Sequence, residues 1–97
     1  MYYKLDIKDF CEDIYGCWSV PIIKIESENT NEMEILHDDC ISDSFGIDKD
    51  NMCVWFSSRI REDIEDDKSK VEDFFRQYFI GDEVYALFGF IRKMLEK

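Results

Sequence analysis

Across residues 69–97 the sequence runs through two apolar stripes of helical period, interrupted once at Ile80-Gly81. At about 100° per residue, Val71, Phe74, Phe75 and Tyr78 share one face, with Phe79 at its edge. In the second stretch Val84, Leu87, Phe88, Ile91, Met94 and Leu95 share another. Ser69 with Glu72 has the form of a capping box, in which hydroxyl and carboxylate each accept from the other's backbone N–H. Gly81 suits the left-handed residue that ends a helix, and Asp82 suits the cap of the next. Asp82 and Glu83 start the second helix, and Arg92, Lys93 and Lys97 lie near its end, the signs a helix dipole favours. Two helices with one apolar face each do not make a stable domain alone, so the rest of the chain must supply the surface they cover.

Asp6 reads as the cap of a helix over residues 7–18. Ile7, Phe10, Cys11, Ile14, Tyr15, Cys17 and Trp18 take one side of it, and Lys8, Asp9, Glu12, Asp13 and Gly16 the other. Residues 20–26 alternate as a strand, which Pro21 confines to an edge or to a strand's first position. A polar turn at residues 28–31 leads to a second alternating run, 32–37, and the two runs form an expected antiparallel hairpin. Residues 38–51 are a long acidic connection anchored by Ile41, Phe45 and Ile47, with room for another short strand. Residues 52–57 are apolar on both faces and read as a central strand. Residues 59–68 are open between a loop and a frayed helical turn. The expected architecture is one α+β domain over 1–97. It has a small antiparallel sheet of about three strands, an N-terminal helix and a C-terminal helical hairpin, in the order α-β-β-β-α-α.

The 97 residues carry 23 acids and 12 Lys or Arg, a net charge of −11. That balance opposes direct contact with nucleic acid or an anionic membrane surface. A hydrophobic fraction of 45% sets the chain apart from disordered acidic tails. The charge is uneven: residues 26–50 hold nine acids and one base, residues 62–67 five acids and no base, and residues 82–97 three of each. No apolar run has the length to span a bilayer. Cys11, Cys17, Cys40 and Cys53 form no Cys-x-x-Cys pair, and no secretory signal is read before them. The expectation is a reducing, cytoplasmic setting, with Cys11 and Cys17 buried as free thiols on the first helix.

Chemical motifs are absent. His37, Asp38, Asp39 and Cys40 are potential ligands, but adjacent residues rarely converge on one ion. The run from Asp48 begins like a calcium loop and fails where glycine and glutamate are needed, at Cys53 and Arg59. A single histidine, no positioned nucleophile and isolated glycines predict neither a catalytic residue, nor a metal site, nor a cofactor. The acidic surface is the remaining candidate: Asp38, Asp39, Asp43, Asp48, Asp50, Glu62, Asp63, Glu65, Asp66 and Asp67. The expected function is that of a non-enzymatic inhibitor. Its carboxylates would stand where phosphates do and occupy the cationic groove of a basic protein partner, a nuclease or other nucleic-acid-binding protein. One alternative is acidity that serves solubility alone. Another is a structural or adaptor module that dimerises or binds a partner through the aromatic helical hairpin. Tyr2, Tyr3, Tyr85 and Phe90 lie off the expected core faces; burial in the core is their expected use, with a homodimer or partner-binding face as the alternative, and the chain is expected to be a monomer or a homodimer. Small size, acidity and missing catalytic motifs make it similar in composition to phage-borne inhibitors of host nucleases and to bacterial immunity proteins. That resemblance rests on no particular residues and transfers no site.

Overall fold

The structure, a computed structural model, describes residues 2–25, 39–41 and 43–96. Among the described residues six strands precede two helices: β1 (Tyr2–Leu5), β2 (Cys11–Glu12), β3 (Trp18–Ile25), β4 (Asp39–Ile41), β5 (Phe45–Asp48) and β6 (Cys53–Phe56), then α1 (Ile60–Arg76) and α2 (Gly81–Leu95). The strands pair antiparallel in the order β1-β3-β6-β5-β4, and the two-residue β2 adds to β3. The expected N-terminal helix and three-stranded sheet are therefore corrected to a five-stranded path with β2 beside it, followed by both helices.

The helix expected over residues 7–18 is replaced by a short 3-10 turn (Ile7–Asp9), β2, and a tight hairpin into β3. Gly16 sits at φ 81°, a conformation no α-helix contains. Its N–H donates to the Asp13 carbonyl, and the Asp13 N–H donates to the Cys17 carbonyl at 2.9 Å. Asp13 Oδ1 accepts from the N–H groups of Tyr15 and Cys17 at 2.8 and 2.9 Å. This is a turn closed by a left-handed glycine, with Asp and Gly at the positions such turns favour. Ile14 and Tyr15, which fit the helical period, are the tip of the loop, 91% and 85% exposed. Gly16→Ala gives opposite signs for the two structures. In a helix Ala would stabilise by about 0.5–1 kcal/mol. At this φ it is expected to destabilise by roughly 1–2 kcal/mol, measured by urea unfolding.

Pro21 lies inside β3, opposite Cys53, rather than at its edge or start. The Pro21 carbonyl accepts from the Asp6 N–H at 2.9 Å, while the next residue, Ile22, donates to Met52 on the other side. The nitrogen of Pro21 thus faces the gap between β1, which ends opposite Ile22, and β2, which begins opposite Ser19. No ladder bond is lost there. The expected partner strand 32–37 lies outside the described residues. Those of β3 are β1, β2 and β6. The acidic connection contains β4 and β5 as a hairpin, and the apolar run 52–57 supplies β6, between β3 and β5.

One face of the sheet presents Tyr3, Val20, Ile22, Phe45, Ile47, Val54 and Phe56 to the helices. Phe45 meets Phe74 and Phe75 with ring centroids 5.1 and 5.4 Å apart, and Phe56 meets Phe90 at 5.8 Å. Phe90, also against Phe10, and Tyr3 are buried in the core, the use expected of them, whereas Tyr85 is exposed. On the other face Cys53 and Trp55 are only half-buried.

Residues 59–68 are mostly helical, since α1 begins at Ile60. The helix breaks at Asp67 (φ −160°, ψ 88°), where the second segment starts. Asp67 Oδ1 accepts from the Lys70 N–H at 3.3 Å, so the cap is Asp67 and the box expected at Ser69 and Glu72 is displaced. Glu72 pairs instead with Arg76 at 3.5 Å and Lys68 at 3.9 Å. Gly81 does not turn left-handed. It opens α2 behind an extended Ile80, with Asp82 in the first turn. This junction closes the outer edge of β1: Phe79 bridges Tyr3, and Glu83 Oε2 accepts from the Leu5 N–H at 3.1 Å. Covering that edge removes a site for unwanted strand pairing.

Candidate functional site

The expected acidic surface divides between the two ends of β5, a strand of four residues and so about 10 Å long. Asp48 is the last residue of β5, and Asp50 stands just past it. The Asp48 carboxylate accepts from the Asn51 side-chain amide at 2.7 Å and the Asn51 backbone N–H at 3.1 Å. Those bonds, the side-chain one foremost, hold its pKa below the ordinary carboxylate value. Asp48 thus shapes the turn that Met52 completes at φ 49°, while Asp50 is exposed. Before the N-terminal end stands Asp43, whose two oxygens accept from Arg59 Nη1 at 3.0 and 2.8 Å. Ser57 Oγ donates to the Asp43 carbonyl at 2.9 Å. Asp43 therefore fastens the β4–β5 turn to the start of α1, with its charge matched by Arg59.

The run 62–67 is split by the helical period. Asp63, Asp66 and Asp67, at i, i+3 and i+4, line one cavity of about 230 Å³ with Phe45, Lys70 and Val71. Glu65 lines a different groove of about 380 Å³ with Arg61, Lys68 and Arg92, and Glu62 is exposed. Asp63 is half-buried. Its Oδ2 is fully buried and has no hydrogen-bond partner among the described residues. A carboxylate oxygen out of water and without a donor is costly, and a donor brought to it would be held strongly. Asp38 lies outside the described residues, and Asp39 opens β4 opposite Ile47. The ten acids are therefore not one array. The structure brings together Asp63, Asp66 and Asp67, at the end of β5 that Asp43 precedes. The apolar wall of the cavity and the orphaned oxygen were invisible in the sequence; only the i, i+3, i+4 spacing pointed to them.

Among the described residues, no group of three or more His, Cys, Asp or Glu side chains is arranged to hold a metal ion. Cys11 is exposed rather than buried, because the helix that would have covered it does not form; Cys17 and Cys53 are half-buried, and all three thiols are free. Burial raises the pKa of Cys17, with Asp13 and Asp43 adding to it, and raises that of Cys53, with Asp48 and Cys11 adding. Both stay protonated at neutral pH and are poor nucleophiles. No helix among the described residues is long and apolar enough to cross a membrane. No protein-family model, no curated protein and no solved structure matches this chain.

Proposed function

We propose that this protein is a non-enzymatic, acidic binding protein of the cytoplasm that inhibits a basic, nucleic-acid-handling protein by occupying its cationic groove. The observation that supports this reading is the cavity beside Asp63, Asp66 and Asp67, with Asp63 Oδ2 unpartnered among the described residues. A lysine or arginine side chain of the partner would lay its aliphatic stem on Phe45 and Val71 and bring its charge to the carboxylates. The net charge of −11 would raise the encounter rate with a basic surface and make binding salt-sensitive. Asp43 and Asp48 are engaged internally and Asp67 caps the second segment of α1, so Asp50, Glu62, Asp63 and Asp66 are the contacts of choice.

The test uses the exposed positions, where the fold tolerates substitution. The triple variant Asp50→Lys, Glu62→Lys, Asp66→Lys is compared with the wild type in capture from the source cell at low and high salt. The wild type is expected to hold a basic nuclease or nucleic-acid-binding protein at low salt and release it at high salt. The variant should bind that partner about a hundredfold more weakly, with a flatter salt dependence. Equal affinity and equal salt slope would refute the proposal.

A further inference from the structure

The outward face of α2 is self-complementary. Asp82, Tyr85, Gly89 and Arg92 fall within one arc of the helix and together line a groove of about 390 Å³, whose opposite wall is Lys68, Glu72 and Arg76 of α1. Tyr85 is 84% exposed, a large aromatic with no place in the core. Nothing lies within 4 Å of where a Cβ on Gly89 would sit, so the helix surface is open there. Neither Asp82 nor Arg92 is in an ion pair among the described residues. Asp82 and Arg92 stand five positions either side of Leu87, and Tyr85 and Gly89 stand two positions either side of it.

We infer that a second copy of this chain docks on this face, with the two α2 helices antiparallel and crossing near Leu87. In that register Tyr85 of each copy lies over Gly89 of the other, and Asp82 of each meets Arg92 of the other. The helix dipoles oppose one another, and acidic N-terminal turns face basic C-terminal turns. A two-fold contact requires one patch to complement itself, and this arrangement does. The charge distribution selects the same face. Chains of net charge −11 repel over most of their surface, whereas this groove is lined by three bases and two acids, so here two copies approach with least repulsion.

The full chain is examined by sedimentation equilibrium from low to high micromolar concentration, as wild type, as Asp82→Arg, as Arg92→Asp, and as an equal mixture of the two variants. The wild type is expected to move from monomer to dimer as concentration rises. Each variant alone sets two like-charge pairs across the two-fold and should associate at least about tenfold more weakly. In the mixture both pairs are again opposite in sign, and dimerisation should return to the wild-type level. That recovery also shows that both variants fold. A wild type that stays monomeric, single variants that associate as the wild type does, or a mixture that fails to recover would each overturn the inference.

Discussion

Phe75→Ala is expected to lower the free energy of unfolding by about 3–5 kcal/mol. Phe75 is fully buried and is the ring through which three elements meet: it touches Phe45 of β5, Phe74 beside it in α1, and Phe88 of α2 at 6.2 Å. Truncation removes the transfer energy of the ring and leaves a hole between helices and sheet that neighbouring aromatics cannot close. A chain of this length has a total stability of roughly 5–15 kcal/mol, so the variant would be partly unfolded near physiological temperature. Urea denaturation followed by circular dichroism reads the change as a shift in midpoint with an unaltered slope. A loss below about 1 kcal/mol would mean that Phe75 is not the junction of the three elements.

Asp63→Leu is expected to do the reverse, raising stability by about 1 kcal/mol while abolishing binding to the basic partner proposed above. Two effects compete. Asp63 stands in the first turn of α1, where a carboxylate gains about 0.3–1 kcal/mol from the helix dipole. Its Oδ2 is buried without a donor among the described residues, which costs about 1–3 kcal/mol. The second term is larger, and Leu also extends the apolar wall made by Phe45 and Val71. A carboxylate kept at such a cost is what a binding site would carry, since a partner's cation repays the desolvation. Asp66→Lys, at an exposed position, should lose binding without the gain in stability. If Asp63→Leu unfolds more easily than the wild type, the carboxylate contributes to the fold and the cavity loses its standing as a site.

Where the residues announced their structure, the cause was local. The stripes Val71, Phe74, Phe75 and Val84, Leu87, Phe88, Ile91, Met94 lie within single helices and are buried as their spacing predicts, and Tyr78, in the turn just past α1, is buried with them. Residues 7–18 misled because period alone does not separate a helix from a hairpin when apolar residues also sit at a turn. The Asp13-to-Gly16 signature was the deciding feature, and it outweighed seven apolar positions of helical spacing. The Ser69 and Glu72 pair misled for a similar reason: the chain offers Asp67 two residues earlier, and the helix takes the cap that suits where α1 must bend over β5. Among the acids, the sequence could count charges but could not see that Asp43 is matched by Arg59, sixteen residues away, or that Asp48 is consumed by its own turn.

By itself the sequence determined the closing pair of helices, the central apolar strand β6 and the negative charge. Each depends only on composition or on spacing within one element. The tertiary structure decided the rest. It placed Pro21 inside a strand, because β1 and β2 leave a gap where its missing N–H costs nothing. It gave Phe90 and Tyr3 their core partners, Phe10 and Phe56 for the one and the bridge to Phe79 for the other. It divided the acids into those spent on turns and ion pairs and those gathered at the cavity. Pairing between residues far apart in the chain carries no local signature, and a carboxylate's neighbours fix what it can do.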